Sequence, residues 1–349
     1  MAHLPAADPG HPKPQPQPYA HPPRHPHPGP APHLPEHDPA DPVENAVIAR
    51  LAGNWARRAT VKRDEPDLDE LFEPARPDYP EHLLPFHDHP AYLALDEEQR
   101  ARLLAWAWVA FNKNVMDNEQ RVVNPGFELI ARDAFGTGLS ETSVLAATQA
   151  MVDEQYHTLM HLNASAVTRR RRGWHLPEAE LPLARKARRH AERLSGAGHR
   201  WQRELTTLAF ATVSELSINA YLGLIADDPR VQPVNRVTAT LHNRDEYCHS
   251  SISAEVAKEV CAGLDTERRA YFLDAVGDGM RAFGANDFTT WRRVVRLVGV
   301  AGGEQMMRDV EQDQGRTMLV QDYSALHRLC TDLGALDEID FDWGGVTLR

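Results

Sequence analysis

Apolar residues recur with a helical period over four long stretches of this chain. The first runs from Asp96 to about Gln120. Its Leu103, Leu104, Trp106, Trp108, Val109 and Phe111 point to nearly every side, which marks a buried helix. Asp96 with Gln99 three residues on is a capping box that fixes its start. The second, from about Thr142 to Arg169, carries Val144, Leu145, Ala147, Met151, Leu159 and Leu162. The third, from Trp201 to Ala226, carries Leu205, Leu208, Phe210, Val213, Leu216, Ile218 and Leu222. The fourth restarts after Pro233 and ends near Gly263, where Asp265 caps the next helix. Amphipathic helices follow over 265–335, and Val47, Ile48, Leu51 and Trp55 make one side of an N-terminal helix over 44–62. No period-two run is long enough for a sheet, and no unit repeats at a fixed period, so the expected class is all-α.

The connections have their own signals. Pro74, Pro77, Pro80, Pro85 and Pro90 mark a Pro-rich link, and His82, His87 and His89 within it lack helical spacing and should be surface residues. Pro125, Gly126, Gly136 and Gly138 make 124–138 a connection with some helix. The run Arg169 to Arg172 reads as a solvated helix end, with cations suited to the C-terminal dipole; a docking site for an acidic partner is the other use of such a run. A long Pro-containing connection follows to about Gly198.

Composition narrows the class. A net charge of −12 over 349 residues argues against nucleic acid as the main partner. Three scattered cysteines, Cys248, Cys261 and Cys330, suit neither a disulfide framework nor an iron–sulfur cluster. Charges break the apolar runs before membrane-spanning length, and no signal-peptide core opens the chain, so a cytoplasmic protein without a membrane partner is expected. Residues 1–43 hold 15 of the 26 prolines and seven of the 18 histidines. They read as a disordered, partly polyproline II tail, with loose metal capture as a second use for its histidines. The rest, 44–349, is expected to be one domain.

Within the long helices lies unusual chemistry. His242, Glu246 and His249 stand at i, i+4 and i+7, one stripe on the fourth helix. Glu154 and His157 repeat the Glu-x-x-His unit on the second, and isolated glutamates, Glu119 and Glu215, sit in the first and third. One Glu from each of two helices and Glu-x-x-His from each of two others is the ligand pattern of ferritin-like dimetal bundles. The expected architecture is thus a four-helix bundle over about 96–263 with a dimetal core, extended by N- and C-terminal helices. Four ionised carboxylates in such a core would cost roughly several kcal/mol each in lost hydration. Two divalent cations neutralise them, and carboxylate with imidazole suits iron, manganese or zinc. Asp153 and Asp245 each precede a motif glutamate and can bond the outer nitrogen of a histidine on the facing helix, Asp153 to His249 and Asp245 to His157. His242 is a candidate seventh ligand, and His161 competes with it, since Glu154, His157 and His161 form a mirror-image stripe. Spacing alone does not choose.

These residues, Glu119, Glu154-Gln155-Tyr156-His157, Glu215 and His242-x3-Glu246-x2-His249, resemble the p-aminobenzoate N-oxygenase (AurF-type) family of diiron arylamine oxygenases. The resemblance covers about 90–260 well, the C-terminal helices loosely and the Pro/His-rich tail not at all. It implies a third histidine at His242 and the ligand set Glu119, Glu154, His157, Glu215, His242, Glu246 and His249. It further implies two iron ions that activate dioxygen and oxidise an aromatic amine through hydroxylamine and nitroso to nitro, as in antibiotic biosynthesis. No flavin or nicotinamide fingerprint is present, so a separate reductase must supply electrons. Gly299-Val300-Ala301-Gly302-Gly303 lacks the strand–turn–helix setting of a nucleotide loop. Asn219, one turn after Glu215, and Trp108, Asn112 and Val115 on the face of Glu119 are the candidate substrate-pocket residues. The amine could be free or carrier-bound, and a homodimer is the expected assembly. Carbon hydroxylation or desaturation at the same metals, and metal storage without an organic substrate, are the competing uses of such a bundle.

Overall fold

A computed structural model describes residues 48–64, 66–138, 141–320 and 322–348. The tail expected over 1–43, and the first residues of the helix expected over 44–62, lie outside the described residues. Among those residues every regular element is helical.

Helix α1 spans Ala49–Arg58 and is followed by a 3-10 turn, Thr60–Lys62. After the Pro-rich link and a short α2 (Pro90–Leu93) comes α3, Glu97–Asn118. Asp96 caps α3, its carboxylate accepting the Gln99 N–H at 2.7 Å. The helix then widens into a π turn, Glu119–Val123, before α4, Asn124–Ala131. The link expected over 124–138 is thus more helical than its Pro and Gly residues suggest: Pro125 falls in the first turn of α4, where a missing N–H costs nothing. Gly126 lets α4 pass tightly over the next bundle helix; a Cβ there would come within 2.3 Å of Ala211 Cβ.

Helices α5 (Glu141–Arg172), α7 (Arg200–Ala226) and α8 (Pro233–Gly263) complete a ferritin-like bundle with α3. α3 and α8 pack on α5, α7 packs on α8, and the π turn lies against α5 and α7. α7 is long and apolar enough to cross a membrane, but 78% of its most apolar window is buried inside the protein. The connection after α5 contains α6, Arg185–Gly196, whose inward residues are Lys186, Ala187 and His190.

The arginine run at the end of α5 is tied to its own chain. Arg169 pairs with Glu178 at 2.8 Å, Arg170 and Arg171 with Asp69, and Arg172 with Asp78 at 2.9 Å, so these side chains pin the crossover and the Pro-rich link. His82 and His89 bond Arg230 and Asp309, and His87 the backbone carbonyl of Leu84. The C-terminal helices are α9 (Thr266–Gly284), capped by Asp265, α10 (Phe288–Val298), α11 (Gly303–Gln312) and α12 (Ser324–Asp332). The Gly299–Gly303 stretch is the turn from α10 to α11, with Gly299 and Gly302 at φ of 75° and 71°.

Candidate metal centre

Four helices deliver seven ligand-type side chains to one place in the core. Glu119 comes from the junction of α3 with the π turn, Glu154 and His157 from α5, Glu215 from α7, and His242, Glu246 and His249 from α8. Each is 1% exposed or less. The i, i+3 and i+4 spacings put the α5 and α8 ligands on single stripes, and neighbouring bundle helices turn those stripes toward one another.

Two overlapping groups result. Glu154, His157, His242 and Glu246 offer ligand atoms within 4.8 Å of one another, and so do Glu154, Glu215, Glu246 and His249. Glu154 and Glu246 belong to both. Either group could hold a metal ion. Glu119 approaches the first group, its Oε1 lying 4.0 Å from His242 Nε2.

The outer nitrogens of two histidines are fixed by aspartates on the facing helix. His249 Nε2–H donates to Asp153 at 3.2 Å, and His157 Nε2–H to Asp245 at 3.3 Å. Helix α1 and its 3-10 turn secure both acids: the Trp55 indole N–H donates to Asp153 at 2.9 Å, and the Thr60 backbone N–H to Asp245 at 3.1 Å. With Nε2 protonated, each inner Nδ1 presents a lone pair. His249 Nδ1 faces Glu154 Oε1 at 2.6 Å, and His157 Nδ1 faces Glu154 Oε2 at 2.9 Å. Two lone pairs at such distances require a cation between them, a proton or a metal ion.

His242 and His161, which spacing could not separate, occupy successive places in one chain. His242 Nε2 points at Glu246 Oε1, 2.8 Å away, while its Nδ1 meets His161 Nε2 at 3.0 Å. His161 Nδ1–H donates to Asn112 Oδ1 at 2.7 Å, and the Asn112 amide donates to Ser165 at 2.7 Å. That order leaves His242 Nδ1–H donating outward and its Nε2 free to ligate. His161 therefore backs His242.

Electrostatics separates the carboxylates. Burial, then Glu154, push Glu119 well above the carboxylate range; burial, then Glu246, do the same to Glu215. Burial also opposes ionisation of Glu246, but His249, His157 and His242 more than offset it and hold it well below. His157 and His249 are raised well above the imidazole range, the surrounding carboxylates outweighing burial. Burial, then His242, push His161 well below it.

Whether metal ions fit is tested by the buried atoms. Glu119 Oε2, Glu154 Oε1, Glu215 Oε2, Glu246 Oε2 and His249 Nδ1 are fully buried and have no hydrogen-bond partner. Buried polar atoms are rarely left so, and five on one inner surface form a donor set suited to hard or borderline cations. The residues fit.

Beside the centre lies a cavity walled by Tyr79, Phe111, Tyr221, Phe283 and Trp291 and containing Lys186. Phe111 stacks on Tyr221 at 4.6 Å and approaches His161 at 6.2 Å, so the aromatic wall adjoins the histidine chain. Asn112, Val115 and Asn219 are not among the lining residues. Asn112 is fully buried in the His161 chain, Val115 is fully buried, and Asn219 is half-buried on α7. On α3 the face of Glu119 is filled by packing, and the cavity opens on the flank carrying Ala107, Ala110, Phe111 and Asn114. Trp55, Thr60 and Lys186 were not singled out for the site from the sequence; only Trp55 carried a signal, as the large residue on the buried side of α1.

The chain matches the family model described as P-aminobenzoate N-oxygenase AurF over residues 41–334. It is 33% identical over 305 residues to the 4-aminobenzoate N-oxygenase of Streptomyces thioluteus, covering 86% of this chain and 90% of that protein.

Proposed function

The chain belongs to the p-aminobenzoate N-oxygenase AurF family, an oxygenase class, and from that premise we propose that it binds two iron ions and oxidises an aromatic amine at nitrogen. The observation that carries this reading is the pair of ligand groups sharing Glu154 and Glu246, closed by the outward hydrogen bonds of three histidines. We assign Glu154, His157, His242 and Glu246, with Glu119, to one ion, and Glu154, Glu215, Glu246 and His249 to the other. Bound iron would supply the activation of dioxygen. The protein's own part is positional. Asp153, Asp245 and His161 hold three imidazoles with the outer nitrogen engaged, so that the inner nitrogen is the one aimed at the metal. The aromatic cavity receives the ring and keeps water from the reacting nitrogen.

Stepwise oxidation through hydroxylamine and nitroso to nitro, electrons from a separate reductase, and a role in secondary metabolism belong to the same proposal. So do the single domain over 44–349 and a homodimer. The test has two readouts. Anaerobic loading with ferrous iron should give two ions per chain by elemental analysis. Oxygen, a chemical reductant and an arylamine should then give products heavier by oxygen at nitrogen, by mass spectrometry. Two bound ions with only carbon-oxidised product would reassign the chemistry, and no amine-derived product from any arylamine would remove it.

A further inference from the structure

The aromatic cavity contains a cation in an unusual position. Lys186 enters from α6, outside the bundle, and is 4% exposed. Its ammonium lies 4.1 Å from the centre of the Phe283 ring and 5.5 Å from that of Tyr221, and it makes no ion pair or hydrogen bond among the described residues. An ammonium this deep is costly unless something balances it. Burial lowers its pKa to about 8, and Glu119, Glu215, Asp117 and Glu246, acting at a distance, keep it from falling further.

Most other polar groups of the cavity are engaged, and the buried exception, Asn286 Oδ1, is an acceptor that cannot hold an anion. Lys113 pairs with Asp117 at 2.8 Å, and Asp117 also accepts the Ala184 N–H at 2.8 Å. Asp287 pairs with Arg188 at 2.8 Å, and the Asn114 amide donates to Tyr221 Oη at 2.7 Å. Arg185 is solvent-exposed at the rim. Rings on several sides and one uncommitted buried ammonium describe a complement for a flat aromatic ligand bearing an acidic group. Glu119 and Glu215, the acids that do most to balance Lys186, are also assigned to the metals. Cations there would cancel that help and increase the ammonium's need for an anion from the ligand.

Resting on the N-oxygenase reading above, we propose that Lys186 is the anion anchor of this cavity, holding a carboxylate or similar acidic substituent of the aromatic amine. It thereby selects acidic arylamines over neutral ones and fixes which way the ring enters. Lysine suits this role as a point charge with three rotatable donors on a flexible stem.

The experiment measures equilibrium binding of 4-aminobenzoate and of uncharged 4-aminobenzamide to the full-length protein by dialysis. Wild type should prefer the acid by about tenfold or more, the size expected of a hydrogen bond to a charged group. Lys186→Met should bring the two within about twofold while keeping amide affinity, whereas Lys186→Arg and Arg185→Ala should retain the preference. No preference in wild type, a preference that survives Lys186→Met, or one lost only in Arg185→Ala would each overturn the proposal. Helical circular dichroism checks that Lys186→Met folds, and if it does not, Lys186→Gln takes its place with the same expectation. A Lys186-dependent preference in a protein that yields no N-oxygenated product would leave this anchor standing and remove the reaction assigned above.

Discussion

The α5 and α8 halves of the candidate metal centre are built from the same five-residue phrase and finished differently. Asp153-Glu154-x-x-His157 and Asp245-Glu246-x-x-His249 exchange contacts across the bundle, each aspartate reaching the other half's histidine. One short N-terminal element secures both aspartates, through an indole N–H on one side and a backbone N–H on the other. Only the α8 half adds a third imidazole, and that imidazole has its own buried support in His161, Asn112 and Ser165. The difference teaches that an extra ligand in a helical core needs more than a correctly spaced residue. Its far nitrogen must also find a partner, here His161 on the facing helix with Asn112 behind it.

The comparison can be broken at its shared elements first. Glu246→Ala removes a ligand common to both groups and should take bound iron from two per chain to below one by elemental analysis, whereas Glu215→Ala, in one group, should leave about one. Next is the feature that distinguishes the halves. His242→Ala should weaken one ion selectively, and His161→Phe, which removes only the support, should weaken the same ion by about 10- to 100-fold in chelator competition. An equal effect on both ions would mean the histidine chain does not belong to one half. Asp245→Ala and Asp153→Ala should each cost about 10- to 100-fold, on different ions, as the histidine behind each loses its orientation. The smallest effect is expected from Trp55→Phe: one of the two donors to the Asp153 carboxylate is lost while His249 stays bonded to it, so affinity at the His249 ion should fall by only about threefold to tenfold. A loss as large as that of Asp153→Ala would make α1 the real organiser of that half.

Sequence pattern reveals these features unequally. The long helices were legible because caps and wide apolar stripes mark them: α7 was expected over 201–226 and spans Arg200–Ala226. Interleaved motifs likewise expose the ligand-type residues, since charge in an apolar helix centre is anomalous. α6 was hidden because its inward face is Lys186, Ala187 and His190, which any hydropathy pattern counts as mostly polar. The place where this cavity opens was hidden for a related reason. Periodicity tells which residues share a face with Glu119, but not whether that face is filled by a neighbour or left open. The contribution of α1 depends on contacts 98 and 185 residues apart in sequence, which no local signal carries.

The wide turn at Glu119–Val123 has a consequence for how the fold can change. A π turn is a helix holding one residue more than α geometry needs, in effect a tolerated insertion. Deleting Gln120 would let α3 and α4 fuse into one continuous rod, locally the more regular structure. It would also turn everything beyond by about 100° relative to Glu119, carrying Gly126 away from Ala211 and swinging Pro125 into a helix interior. The extra residue thus acts as a phase shifter between a metal-facing frame and a packing-facing one.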